Sequence, residues 1–104
     1  AQYNLGYAYD QGWSGGRDVQ RAFHWFSRAA EQGLLAAQAR LGLMYATGDG
    51  VAADILEAYK WFAIAAVRGD TAARSNRDHA ETLLGEAQLV EARRRAEHWI
   101  EAHA

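Results

Sequence analysis

The chain has 104 residues, 50% of them hydrophobic and 23% charged, with a formal net charge of −2 and a pI of about 6.1. That balance predicts one small soluble globular domain and lacks the basic excess of a nucleic-acid binder or a membrane-surface protein. The absence of cysteine excludes a disulfide framework and a thiolate zinc site and leaves the compartment undecided between cytoplasm and periplasm. No apolar run approaches the roughly 18 residues of a membrane span, so no membrane insertion is expected.

The elements follow one another as helices. In the first, Leu5 and Tyr9 lie four apart on one face, and Gly12 ends the run. Asp18 is a suitable N-cap, since its carboxylate accepts from free backbone N–H groups and meets the positive end of the helix dipole. Ala22, Trp25, Phe26, Ala29 and Ala30 then fall at helical spacing on one face. Gly33 suits the left-handed position after the helix, which a side chain disfavours. The next pair reads as a helix over about 37–47, a loop at 48–53, a cap at Asp54 and a helix to about 68. Two more follow, over about 71–84 and 86–103, separated near Gly85. Gly6 and Gly42 sit inside helices, where glycine costs about 1 kcal/mol relative to alanine; the expected gain is close contact with the partner helix.

These elements repeat. Residues 1–36 placed over residues 37–72 give 14 identities in 36 positions without a gap. Leu5-Gly6 overlies Leu41-Gly42, Tyr9 overlies Tyr45, Asp18 overlies Asp54, and Trp25-Phe26 overlies Trp61-Phe62. Self-similarity at a fixed period of this size is the mark of stacked repeats. Residues 73–104 break the period but keep Ala96-x-x-Trp99 in place of Ala22-x-x-Trp25, and their outer positions are polar, as in a helix pair that caps a solenoid. The predicted organisation is all-α: repeat one at 1–36, repeat two at 37–72 and capping helices at 73–104. Residue 1 already belongs to a repeat, so the apolar side of the first helix pair lacks a preceding neighbour. Either more repeats precede it in a longer chain, or the chain self-associates through that end.

The run Ala-x-x-x-Leu-Gly-x-x-Tyr-x-x-Gly, then Asp-x-x-x-Ala-x-x-Trp-x-x-x-Ala-Ala-x-x-Gly, resembles the Sel1-like repeat (SLR) family, a relative of the tetratricopeptide repeat. Residues 1–72 carry it twice, and the second copy keeps the family's loop Gly48-Asp49-Gly50-Val51. The first copy departs there, reading Gly12-Trp13-Ser14-Gly15-Gly16-Arg17. The resemblance implies a right-handed superhelical solenoid of antiparallel helix pairs, and a scaffold or adaptor role in assembling protein complexes, often in bacterial signalling or envelope processes.

Catalytic and cofactor motifs are missing. His24, His79, His98 and His103 form no His-Glu-x-x-His and no pair three or four apart. The 48–54 loop lacks the alternating acids and final glutamate of a calcium site. Gly12, Gly15 and Gly16 lead into no Gly-Lys-Ser or Gly-Lys-Thr. The rival class is a hydrolase, because some cysteine-rich relatives are linked to β-lactam hydrolysis; with neither cysteine nor Ser-x-x-Lys here, that link does not carry over. No cofactor is expected. The run Arg93-Arg94-Arg95 reads as solvated helix pairs, Glu91 with Arg95 and Arg93 with Glu97.

Trp25, Trp61 and Trp99 are predicted core residues. Tyr3 and Tyr7 are different: they lie four apart, opposite Leu5 and Tyr9, where an amphipathic helix with one buried side is polar. Tyr3, Tyr7 and Gln11 form one stripe; Ala39, Leu43 and Thr47 form the matching stripe 36 residues on. Asn4 and Arg40 flank it, and His79 follows Leu43 by one period. Two readings stand side by side, packing between neighbouring first helices and a concave groove for a partner protein or peptide. The resemblance places these positions on the inner curve of the superhelix.

Overall fold

A computed structural model describes residues 18–103, together with Gly6 and Ala8, which are helical. Five helices follow Asp18, and among the described residues there is no strand. They are α1 (Val19–Glu31), α2 (Leu35–Thr47), α3 (Ile55–Val67), α4 (Thr71–Thr82) and α5 (Glu86–Ala102). The 12–17 loop lies outside the described residues, as do Leu5 and Tyr9.

Caps set most boundaries. Asp18 accepts from the Arg21 N–H at 3.0 Å, and Asp54, one period later, from the Glu57 N–H at 3.2 Å. Asp70 does the same for α4, accepting from the Ala73 N–H at 2.9 Å. Gly33 and Gly69 take φ of +93° and +98° and turn the chain after α1 and α3. The start of α2 lies two residues before its expected position, at Leu35, behind an extended Leu34 with no side-chain cap. No polar signal marks that start, which is why the sequence reading misses it.

Each first helix packs closely on its partner through glycine and phenylalanine. A Cβ on Gly42 would stand 2.6 Å from two ring atoms of Phe62, and a Cβ on Gly6 would stand 2.9 Å from the Phe26 ring. The expected close contact is present in both repeats. The alanines Ala22, Ala29 and Ala30 on α1 and Ala58 and Ala65 on α3 are likewise buried. Small side chains let the helix axes approach while Phe26, Leu41, Met44 and Ile64 fill the space between them.

The hub is α3. It packs on α2, α4 and α5, and Ala58, Tyr59 and every residue from Trp61 to Ala65 are buried; a helix apolar nearly all round belongs inside. By contrast α4 buries only Ala73 and Ala80, and α5 only Ala92 and Ala96. The terminal pair closes the solenoid in a particular way. α5 lies along α3, and its bond to α4 is the Arg93–Glu81 ion pair at 2.9 Å.

This arrangement corrects the equal treatment of the three tryptophans. Trp61 is 2% exposed and meets the edge of Trp99, with ring centroids 5.6 Å apart. Trp99 is half-buried, its indole N–H donating to Glu31 at 3.0 Å and its ring stacked on His103 at 3.8 Å. Trp25 is also only half-buried, flanked by His24 and the Arg28 guanidinium. The position is covered on α3 because α5 lies directly upon it. Among the described residues, no helix covers α1 in the same way.

Candidate interaction surface

Helix α2 turns Ala37, Gln38, Leu41, Gly42 and Met44 inward. The opposite side carries Leu43, which is 39% exposed, and exposed Thr47, whose hydroxyl donates to the Leu43 carbonyl at 2.9 Å. That bond is the back-bonding open to a helical threonine; it satisfies the hydroxyl donor and leaves the methyl outward. His79 is exposed on α4, one period after Leu43. These three of the expected residues are thus exposed on two successive first helices, α2 and α4.

Arg40 does not stand in the open beside them. It is half-buried, and its guanidinium lies over the Phe26 ring at 6.0 Å, turned toward α1. The expected residues Tyr3, Asn4, Tyr7 and Gln11 lie outside the described residues. One exposed apolar residue was missed. Leu83, at the end of α4, follows Thr47 by one period and is exposed. The period itself is the available signal, since Leu83 follows Thr47 by 36 residues near the end of the helix expected over about 71–84.

The basic run on α5 makes one of its two expected pairs and several that were not expected. Arg95 binds Glu91 at 3.2 Å, and it also reaches across to Glu57 on α3 at 3.1 Å. Arg93 turns from Glu97 to Glu81 and to the Tyr59 hydroxyl, because α5 lies on α3 with its Arg93 side toward the end of α4. Arg94 grips both oxygens of Glu91, at 2.7 and 2.9 Å. Hydrogen bonds from Arg94 and then Arg95 lower the Glu91 pKa from 4.5 to about 2. A depressed carboxylate contributes stability that is present above its unfolded value and is lost as pH falls through the folded one. NMR titration of the Glu91 carboxylate is expected to show a midpoint near 2, moving back toward 4.5 in Arg94→Gln. A wild-type midpoint near 4.5 would mean that the arginine contacts do not persist in solution.

Among the described residues, no three metal-ligating side chains come together, and no helix is long and apolar enough to cross a membrane.

The Sel1 repeat family model matches twice, at residues 1–34 and 35–70, dividing the chain where α2 begins. A crystal structure of c5321, a protective antigen with an SLR fold present in uropathogenic Escherichia coli strains, is 40% identical with a TM-score of 0.90. The match covers 96% of this chain and 22% of that one. A Sel1 repeat protein from Oxalobacter formigenes is 36% identical with a TM-score of 0.71, over 75% of this chain and 59% of that one. The chain thus spans about a fifth of the first relative's length and under two thirds of the second's. No curated protein matches it. Sel1 repeats are in general non-catalytic scaffolds for protein–protein interaction. With two consecutive matches to the repeat, helix pairs stacked at its period and the glycine–phenylalanine contact present in both copies, the chain belongs to the Sel1 repeat family.

Proposed function

We propose that this chain is a non-enzymatic scaffold or adaptor module that holds a segment of a partner protein across the concave side of its first helices. The observation that carries this reading is the exposure of Leu43 on a helix whose other large aliphatic side chains from Leu41 to Met44 are buried. A half-exposed leucine between threonine and alanine, followed one period later by His79 and Leu83, forms a mixed apolar and polar track. Such a track suits an extended or helical segment that adds its own apolar side chains. In the sequence, Tyr3 and Tyr7 hold the matching positions one period earlier, and a tyrosine suits such a track by its large apolar face, its hydroxyl and its low side-chain entropy. The module's use within a longer protein is part of the same proposal: assembly of a complex, with the partner read by side chains on consecutive repeats.

The test is affinity capture of the partner by the intact parent protein, cross-linking to locate its contact, and measurement of two variants. Leu43→Asp is expected to weaken binding at least tenfold, about 1.4 kcal/mol. Tyr3→Ala with Tyr7→Ala is expected to cost about 2 kcal/mol or more, the scale of aromatic hot spots. Both should leave the helical circular dichroism and melting temperature nearly unchanged. Unchanged affinity, or loss of folding in place of binding, would show these to be packing residues and the partner to dock elsewhere.

A further inference from the structure

Away from the concave side, two recesses open at the seam of α3 and α5, and they share the stacked pair Trp99 and His103. The first, about 340 Å³, is lined by Lys60, Arg94, Arg95 and His98, and among the described residues no carboxylate or hydroxyl side chain lines it. The second, about 400 Å³, is floored by Ile64, Val67 and Ile100, with Arg68 at its edge. Val67 is 68% exposed there, a large apolar side chain without cover.

The cations of the first recess are held but not saturated. Glu57 takes Lys60 at 3.2 Å and Arg95 at 3.1 Å, and Glu91 takes Arg94 and Arg95. Three cations share the two carboxylates that bind them, so not every cationic N–H is filled. Arg94 is bound through Nε and Nη2, which leaves Nη1; Arg95 is bound through Nε and Nη1, which leaves Nη2. The carboxylates therefore fix the guanidinium planes while donors remain for an incoming oxyanion. Glu31 accepts from the Trp99 indole N–H and lies 3.9 Å from His103, and its carboxylate does not line the recess. The preference for an oxyanion therefore rests on the unfilled guanidinium N–H groups at the recess wall and not on an excess of charge.

We propose that this seam is a second docking site, for a partner segment that carries acidic side chains next to one bulky aliphatic residue. The carboxylates enter the Lys60–Arg94–Arg95–His98 recess, and the aliphatic side chain covers Val67 on the far side of Trp99. The apolar recess is what favours a peptide over a free phosphate, which has nothing to place there. A ligand with both groups buries Val67 and Ile100 while completing the arginine hydrogen bonds. The site is independent of the concave-side reading, because Leu43, Thr47 and His79 report one surface and His98, Ala102 and Val67 the other.

The experiment is an NMR titration of the ¹⁵N-labelled chain with capped Glu-Glu-Leu-Glu-Glu, its Gln-for-Glu and Ala-for-Leu versions, and inorganic phosphate. The acidic leucine peptide should give saturable shifts at the Trp99 indole N–H, His98, Ala102 and Val67. The glutamine version should bind about tenfold more weakly and the alanine version about threefold more weakly, with Val67 unmoved in the latter. Arg94→Gln should weaken the acidic peptide about fivefold, and Val67→Ser should erase the preference for leucine. Both side chains are largely exposed, so the melting temperature should hold. Equal binding of the glutamine or alanine version would overturn the proposal. So would saturation of the same residues by phosphate without peptide binding, or shifts confined to α2 and α4.

Discussion

Gly42→Ala is expected to destabilise the protein, although alanine is the better helix former. Propensity alone favours alanine by about 1 kcal/mol. The new methyl group, however, would stand 2.6 Å from Cδ1 and from Cε1 of Phe62. Phe62 is 2% exposed and sits in α3, the helix enclosed by α2, α4 and α5, so the ring has nowhere to withdraw. Overpacking of this kind typically costs about 1–3 kcal/mol and sometimes more. The 2.6 Å approach puts the cost at the upper end of that range, so that after the propensity gain a net loss of up to about 2 kcal/mol is expected, a fall in melting temperature on the order of 10 °C for a domain of this size. Gly6→Ala should cost less, since its methyl would stand 2.9 Å from Phe26. The mechanism is separable from a general intolerance of α2 to change. Phe62→Leu removes the ring edge, so the double variant Gly42→Ala with Phe62→Leu should be less destabilised than the sum of the singles by about 1 kcal/mol. Simple additivity, or a neutral Gly42→Ala, would mean that the two helices stand further apart than described.

That contact shows which parts of this fold are legible in one sequence. Gly6 and Gly42 are poor helix residues at the same place in two repeats, so their cost had to be offset by something local to the repeat. The partner helix was the available candidate. The caps at Asp18 and Asp54 and the buried faces of α1 and α3 were legible for the same reason, as each is set within one repeat and occurs twice. Contacts made once, between elements far apart in sequence, were not. Arg95 meets Glu57 and Trp99 meets Glu31 because α5 lies along α3, and no periodicity encodes that placement. Trp25 fits the same pattern as Trp61, but its burial depends on which helix covers it. Arg93 likewise faces Glu81 because of where α5 rests. At the candidate surface, the helical wheel set Leu43 and Thr47 apart from the core face and the period added His79, and all three are exposed, whereas the turn of Arg40 onto Phe26 was a choice among rotamers that spacing leaves open. The cationic recess was invisible because its lysine lies on α3 and its arginines on α5.

Gln38→Ala is expected to be the more damaging of the substitutions at polar residues. Gln38 is 0% exposed, a buried amide in an otherwise apolar core. Its Nε2 donates to the Ala30 carbonyl at 3.2 Å, and its Oε1 accepts from Arg68 at 3.3 Å. Arg68 also donates to the Gly33 carbonyl, so one side chain ties the end of α1, the body of α2 and the end of α3. Truncation to alanine removes both bonds and opens a void about the size of a leucine side chain. A loss of about 2–4 kcal/mol is expected from the two effects together. Gln38→Leu keeps most of the volume, and the Ala30 carbonyl retains the Gly33 N–H at 3.0 Å, so its cost should be about 1–2 kcal/mol. Arg68→Ala should cost about 1 kcal/mol by leaving the buried Oε1 without its donor. Combined with Gln38→Leu it should add little, since the acceptor is already gone. Denaturant melts of the four variants measure this directly. If Gln38→Ala costs less than about 0.5 kcal/mol, or if Arg68→Ala and Gln38→Leu add fully, the amide does not hold the repeats together. The same variants reach the proposed second docking site, because Gly33 and Arg68 form the edge of the aliphatic recess. Gln38→Leu leaves Arg68 only its bond to the Gly33 carbonyl and should therefore weaken the leucine-bearing peptide, while binding to the concave side around Leu43 is left unchanged.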